Sequence, residues 1–578
     1  AQAILARVKQ AGKGFLAHLA RIVGRAMADP GKHVVLLDYG AGNVQSVINA
    51  VRSLGYEVST VQRPEDILAA KRLIFPGVGS FGSCVAMLKD KGYFEPLRQY
   101  LQEDRPFLGI CLGMQTLFEG SEEADGVEGL GLFPGIVKRF PASIGLAVPH
   151  IAWTGVAPML QDSWPIDESG PRCYFVHSYR VSMPEGGHAP WALACSDYGE
   201  RYVCAVRRGN CVGIQFHPEK SGKIGLELLG RWLQGRPSVA DPASLTAPRT
   251  SFQPPLAPAK RIIACLDVRS NEAGDLVVTK GDCYDCKEDG KVRNHGAPVA
   301  LSARYYNEGA DEVTFLNITA FREMVLADQP MLELLKEAAG QVFVPLTVGG
   351  GIRGFTDQEG KTYTSLEVAD AYFRAGADKI SIGSDSVEAA KEYYESGKKL
   401  TGKSAIECIS AKYGRQAVVI SVDPRRKYVK DPSETSHNCV GVGSLGGTPV
   451  GPNGERFAWY CCTLKGGRED SDMDVVQLVQ ACEALGAGEI LLNCIDRDGQ
   501  GTGYELELIR QVKSACTLPV IASSGAGKPE HFADALRPPP EGGGADAGLA
   551  AGIFHRCEVP LQAVKEYLDE TAKIPVRR

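Results

Sequence analysis

Short apolar runs ending in glycine recur along the first third of the chain. His33-Val34-Val35-Leu36-Leu37 runs into Asp38-Tyr39-Gly40-Ala41-Gly42-Asn43, and helical spacing follows from Val47 to Leu54. Leu73-Ile74-Phe75-Pro76-Gly77-Val78-Gly79 repeats the pattern. Phe107-Leu108-Gly109-Ile110-Cys111-Leu112-Gly113-Met114-Gln115 repeats it again, with a helical pattern through Leu117 and Phe118. Strands alternating with helices predict an α/β fold with an open parallel sheet, whose ligands collect at the carboxyl ends of the strands. Beyond residue 130 the strands shorten and the pattern turns antiparallel. From Gly235 to Ala259 periodicity is lost, and Pro237, Pro242, Pro248, Pro254, Pro255 and Pro258 predict an extended, semi-rigid linker.

A second pattern begins past Lys260, and it repeats internally. Arg261–Val268 is echoed by Ala417–Asp423, and Gly309–Ile318 by Gly486–Ile495. Val344–Gly351 is echoed by Leu518–Gly525, and Gly376–Gly383 by Gly544–Ala551. Helical patterns such as Pro330–Ala339 and Val475–Leu485 lie between. Four strand-and-loop units occurring twice in one order predict a (β/α)₈ TIM barrel built of two half-barrels. Residues 424–465 read as a long Gly-rich excursion after strand five, and Pro538–Gly543 as a lengthened connection into strand eight. The predicted domains are 31–234, a linker over 235–259, and the barrel over 260–578.

Composition narrows the function. The 578 residues carry a formal charge of −6, which argues against a general nucleic-acid binder. No apolar run is long enough to span a membrane. The 17 cysteines are odd in number and without framework spacing, and read as reduced thiols. Cys283-x-x-Cys286 has no second pair at ligand spacing, so it and Cys461-Cys462 read as loop cysteines; no metal or cofactor is expected. Residues 1–28 hold Arg7, Lys9, Lys13, Arg21 and Arg25 but no Asp or Glu, with a rough apolar face. Such a stretch points to an organellar transit segment over 1–30 and a plastid location; read instead as a surface helix, it leaves the protein cytoplasmic.

Cys111 sits between two glycines where a strand turns sharply into a helix. That turn exposes the sulfur, and a helix N-terminus beside it favours the nucleophilic thiolate. A buried structural cysteine is the ordinary alternative. Gly213-Ile214-Gln215-Phe216-His217-Pro218-Glu219 supplies a base on another strand end, with a carboxylate to orient it. These motifs resemble the class I glutamine amidotransferase family over roughly residues 33–234. The resemblance implies that Cys111 attacks glutamine, His217 moves the proton and Glu219 orients the imidazole. It also implies that Gly77, Val78 and Gly79 form the oxyanion loop and that Gln115 holds glutamine. Ala152 and Thr154 depart from the Gly and Asn usual around Trp153.

In the barrel, Asp267 and Asp423 end strands one and five, on opposite sides of the mouth, where paired carboxylates divide acid and base work. The Gly-rich ends at Gly349–Gly351 with Gly383 and Ser384, and at Ser524 and Gly525 with Ala551 and Gly552, offer backbone N–H groups to two phosphates. The substrate is then long, with a phosphate at each end. Over residues 259–576 the motifs ACLDV, TVGGGIR, IDRDG and ASSGAG resemble the cyclase half of the fused imidazole glycerol phosphate synthase family. The resemblance implies a bis-phosphorylated ribotide substrate, ammonia drawn from glutamine, and a self-contained monomer. It makes Lys280 a mobile-loop lysine and Asp498 a substrate contact. It also makes Arg261, Glu312, Lys379 and Glu489 an ammonia gate, and Lys220 with Asp378 a bridge between domains. The related isomerase of the histidine pathway shares the half-barrel repeat but needs no ammonia. An inactive scaffold would not need Cys111, His217, Glu219, Asp267 and Asp423 intact.

Overall fold

A computed structural model describes residues 31–237, 242–249, 253–270, 276–279, 297–318, 326, 329–442 and 450–578. The basic N-terminal stretch, Lys280 and the Cys283/Cys286 pair lie outside the described residues. Parallel strands alone are numbered here. In the first unit they are β1 His33–Leu36, β2 Glu57–Thr60, β3 Leu73–Gly77, β4 Phe107–Cys111 and β5 Cys211–Ile214, in the order β2-β1-β3-β4-β5. β3, β4 and β5 are buried at every position, as central parallel strands covered on both faces must be. Antiparallel strands extend the sheet beyond β5, beginning with Arg201–Arg208.

The second unit is a closed barrel. Its strands are β6 Arg261–Ser270, β7 Glu312–Asn317, β8 Leu346–Gly349, β9 Lys379–Ile382, β10 Val418–Val422, β11 Glu489–Asn493, β12 Val520–Ser523 and β13 Ala547–Ala550. All pair in parallel in chain order, and β13 returns to β6 with Ala547 beside Arg261. Period-two alternation divides the side chains. Ile263, Cys265, Val419, Leu491, Ile521 and Leu549 pack together as one cluster, while Ile262, Ala264 and Leu266 belong to the large outer core.

The stretch after β10 is more ordered than its glycines predict. Pro424–Val429, Cys439–Gly441, Phe457–Leu464 and Glu469–Asp474 form a four-stranded antiparallel sheet. The aromatic and β-branched run Phe457-Ala458-Trp459-Tyr460-Cys461-Cys462-Thr463 outweighs the flanking glycines. Cys461 and Cys462 are therefore buried strand residues, not loop residues, and the described cysteines are free thiols. Pro538–Gly543 forms a turn, closed by Gly542 N–H to the Pro538 carbonyl at 3.0 Å.

The first unit caps the end of the barrel where its strands begin. The Trp153 indole N–H donates to the Asp311 carbonyl just before β7 (3.3 Å), under the Arg577 guanidinium at 4.2 Å. Gly222 N–H meets the Phe343 carbonyl ahead of β8, and Val148 N–H the Thr517 carbonyl ahead of β12, both at 3.0 Å. Thr154 is buried with its hydroxyl 2.7 Å from His150 Nε2. The described part of the Pro-rich segment is tied to the first unit through Gly155 N–H to Leu256 O and Arg249 N–H to Met159 O, both 2.9 Å.

Candidate functional site

Cys111 is the last residue of β4, and its φ of +53° puts a non-glycine residue in the left-handed region. Such a conformation is stored strain of the kind found at reactive turns. The flanking glycines make it possible. A Cβ on Gly113 would lie 2.1 Å from the Phe75 carbonyl oxygen, and one on Gly77 2.4 Å from Gly113 N. The helix that follows is shorter than its sequence predicts, covering only Leu112–Gln115. Four residues sum few peptide dipoles, so the expected helix-end contribution to the thiolate is small.

Side chains rather than a helix end surround the sulfur. Gln215, two residues before His217, places its amide Nε2 3.4 Å from the Cys111 sulfur. Its Oε1 accepts from Gln115 Nε2 at 3.1 Å, and Gln115 also donates to the Tyr179 carbonyl at 3.0 Å. His217 Nδ1 is 2.7 Å from Glu219 Oε1, while Nε2 is buried without a hydrogen-bond partner. Burial disfavours the charged ring, but the Glu219 carboxylate and Cys111 sulfur outweigh it and raise the His217 pKa well above the ordinary value. Gln215 lay inside the quoted His217 motif; only its contact with the sulfur makes it stand out.

One cavity joins this site to the barrel. Gly77, Val78, Gly79, Cys111, Gln115 and His217 line it from the first unit, and Asp378, Lys379 and Gln416 from the strand-start end of the barrel. Glu123 and Ser178 also line it. Lys220 Nζ is 2.6 Å from Asp378 Oδ2 at its edge. Asn43, which no motif marks, adds a second tie through Nδ2 to Asp378 Oδ1 and to the Gly376 carbonyl, each 2.8 Å.

Behind Lys379 the first residues of β6, β7, β9 and β11 close a ring of alternating charge. Arg261 pairs with Glu312 at 2.8 Å and also with Glu489; Lys379 pairs with Glu312 at 2.7 Å and Glu489 at 2.6 Å. All four are buried. Burial opposes their charges, but the pairing prevails: Glu489 and Glu312 raise the Arg261 pKa, and Lys379 and Arg261 lower that of Glu312. Removing one member of such a set typically costs ~3–5 kcal/mol, because it strands a buried charge.

At the opposite end Asp267 lies near the carboxyl end of β6 and Asp423 directly follows β10, four strands apart around the closed barrel. Burial, reinforced by the Asp498 charge, lifts the Asp267 pKa to about 7. Burial also raises Asp423, but Asn493 Nδ2 donates to its Oδ1 at 2.9 Å and opposes the shift. Asp498 is raised by burial against bonds from Ser524 and Gly499.

The Gly-rich strand ends surround them. A Cβ on Gly350 would lie 2.1 Å from the Asn317 carbonyl oxygen, and Ser524 has φ +71°. Gly383 precedes the twelve-residue helix Ser384–Glu395, so that end has a full helix N-terminus. Ala551 and Gly552 lead only into Gly552–His555, which leaves turn amides there instead. The Ser384 hydroxyl accepts Lys465 N–H at 2.8 Å, bringing the inserted sheet to this rim. Among the described residues no group of three His, Cys, Asp or Glu side chains has metal-holding geometry.

A cysteine elbow with a His–Glu pair, set on the bottom of a two-half barrel, defines the class: a glutamine amidotransferase fused to a histidine-biosynthesis barrel. Residues 35–230 match the family "Glutamine amidotransferase class-I", and residues 261–560 match "Histidine biosynthesis protein". The chain is 52% identical to "Imidazole glycerol phosphate synthase hisHF, chloroplastic" of Arabidopsis thaliana, over 96% of this chain and 91% of the relative. It is 53% identical to the hisHF synthase of Schizosaccharomyces pombe, over 93% of this chain and 98% of that one. The barrel alone resembles the separate subunit HisF of Methanosphaera stadtmanae at 38% identity, over 55% of this chain and 98% of that one. The chain belongs to the bifunctional imidazole glycerol phosphate synthase hisHF family. It is an enzyme of histidine biosynthesis that carries amidotransferase and cyclase units in one polypeptide.

Proposed function

We propose that Cys111 releases ammonia from glutamine and that the ammonia crosses the ring to be consumed between Asp267 and Asp423. The observation that carries this reading is the shared cavity, in which the Cys111 sulfur and the gate lysine Lys379 line one space. His217 Nε2 takes the thiol proton, and the sulfur attacks the side-chain carbonyl carbon of glutamine. Backbone N–H groups of the Gly77–Gly79 loop hold the resulting oxyanion. His217 returns the proton to the leaving nitrogen as the C–N bond breaks, giving ammonia and a thioester; water then hydrolyses the thioester to glutamate and the free thiol. Glu219 orients the imidazole and stabilises its charged form, and Gln115 and Gln215 hold the sulfur's surroundings. Glu123, a carboxylate in the cavity wall, suits the α-ammonium group of glutamine.

Ammonia passes the ring uncharged, when Lys379 or Arg261 swings away from its carboxylates. Lys220 and Asp378 keep the two units in register across that route. At the mouth, ammonia and the phosphoribulosyl-formimino aminoimidazole carboxamide ribotide yield imidazole glycerol phosphate and the aminoimidazole carboxamide ribotide. Asp267, protonated near neutrality, is suited to donate a proton. Asp423, whose ionised form Asn493 favours, is suited to accept one. Gly349–Gly351 with Gly383 and Ser384 take one phosphate; Ser524 and Gly525 with Ala551 and Gly552 take the other. Asp498 contacts the substrate, and Lys280, outside the described residues, is assigned to substrate binding by the family resemblance alone. The natural boundaries are 31–234 for the amidotransferase, 235–259 for the connection and 260–578 for the cyclase, working as a monomer. A plastid location is supported by the chloroplastic Arabidopsis relative and the acid-free composition of residues 1–28.

Cys111→Ala is the direct test. Imidazole glycerol phosphate formation is expected to vanish with glutamine and to persist with ammonium chloride. Loss with both nitrogen sources would refute two separate sites.

A further inference from the structure

Tyr39 lies in the turn after β1 and is 1% exposed, with its ring edge-on to Phe75 at 5.7 Å. Its hydroxyl donates to the Val78 carbonyl, the central carbonyl of the loop opposite Cys111. Val78 lines the glutamine cavity; Tyr39 stands behind it, outside the lining. In a trans peptide the N–H points opposite to the carbonyl. A Val78 carbonyl drawn back to Tyr39 therefore turns the Gly79 N–H towards the cavity.

The loop is braced from its other side by the barrel. The Ser80 and Ser83 hydroxyls donate to the Ala411 carbonyl at 3.3 and 3.4 Å, at the end of the helix Ala405–Tyr413. Gly79 has φ +132°, and a Cβ there would lie 2.8 Å from the Lys412 carbonyl oxygen. Phe75, in β3 three residues before Val78, packs against the phenol that reaches Val78.

We propose that Tyr39 is a positioning residue for glutamine hydrolysis: its hydroxyl clamps the Val78–Gly79 peptide and sets the direction of the oxyanion donor. Burial keeps the phenol pKa well above its ordinary value, so the hydroxyl remains a donor. This rests on the reading of Cys111 as the glutamine nucleophile. It goes further by assigning the loop's orientation to a side chain outside the cavity.

Tyr39→Phe removes only the hydroxyl. With glutamine, kcat is expected to fall ~10-fold or more, a fraction of what losing a whole oxyanion donor costs. KM for glutamine should stay within about 2-fold, because the clamp acts on the transition state. Turnover with ammonium chloride should be unchanged, which also reports that the chain is folded. An unchanged kcat with glutamine, a loss carried by KM, or an equal fall with ammonium would each overturn the clamp. Cys111→Ala run in parallel separates the two ideas. If it loses glutamine turnover while Tyr39→Phe does not, the clamp fails and the nucleophile stands; if Cys111→Ala keeps it, both fail.

Discussion

The two half-barrels carry the same strands in the same order, yet equivalent positions serve different ends. Asp378 precedes β9 and Asp546 precedes β13, in matching Gly-Ala-Asp triplets. Asp378 reaches out to Lys220 and Asn43 of the amidotransferase unit. Asp546 stays within the barrel, 2.8 Å from Lys513 and 3.8 Å from Lys260. The charged ring divides unequally as well: the first half supplies Arg261, Glu312 and Lys379, the second only Glu489. At the mouth, Asp267 faces the charge of Asp498, while Asp423 has an amide donor in Asn493 and its carbonyl holds the Thr463 hydroxyl at 2.6 Å. Duplication copies backbone positions, but several of the partners that distinguish the copies, Lys220, Asn43 and Thr463 among them, come from outside the repeat. The first unit, the inserted sheet and the loops break the symmetry.

The sharpest way to break the comparison is at the mouth. Asp267→Asn and Asp423→Asn should each lower kcat by about 10³-fold or more with either nitrogen source, since general acid–base catalysis typically supplies 10²–10⁴. Steady-state rates with glutamine and with ammonium check this. A variant that loses less than about 10-fold, well under that range, would remove its carboxylate from the pair. Next in size is Asp378→Lys. It should cut glutamine-dependent turnover by roughly 100-fold, as misplacement of a coupled site can, and spare ammonium-dependent turnover. Equal loss of both would refute its bridging role.

Asp546→Asn should do the reverse, costing ~1–3 kcal/mol of stability in urea unfolding at pH 7, the scale of a lost charge-assisted hydrogen bond, while leaving the glutamine-to-ammonium rate ratio unchanged. Burial would raise the Asp546 pKa, but Lys513 and Lys260 bring it down to about 2. Its stabilisation is therefore present above the unfolded value near 4 and is lost as pH falls through about 2. The wild-type advantage should shrink over that window. The smallest effect is at Asp498. Burial and the Asp498 charge hold Asp267 near 7. The ammonium-dependent rate, corrected to free ammonia, should fall on an alkaline limb near that pH as Asp267 loses its proton. Asp498→Asn removes the like charge and should move the limb down by less than about one pH unit. An unmoved limb would assign it to another group.

Much of this was legible along the chain because it is local. A strand that meets glycine, cysteine and glycine can do little but turn, and the helical and strand periods announce the two sheets. Other features misled for equally local reasons. The glycines near 443–454 hid the sheet formed by Phe457–Leu464, because strand pairing is a non-local gain. The spacing after Cys111 promised a longer helix than Leu112–Gln115, since Leu117 and Phe118 are held by packing instead. Gln215, Asn43 and Tyr39 carried no signal in the sequence. Each makes its site contacts with partners 39 to 335 residues away.

By itself the sequence determined the duplicated barrel, the cysteine elbow, the His217–Glu219 pair and the carboxylates at the carboxyl ends of β6 and β10, since each follows from short-range pattern or internal repetition. Only the tertiary structure decided that Arg261, Glu312, Lys379 and Glu489 close into one ring and that Lys379 shares a cavity with Cys111. It also decided that Asp546, bonded to the neighbouring strand as Asp378 is, pairs with Lys513 within the barrel, and that Asp267 is raised to about 7. Charge pairing and desolvation depend on which distant groups are brought within a few ångströms, and chain position does not encode that distance.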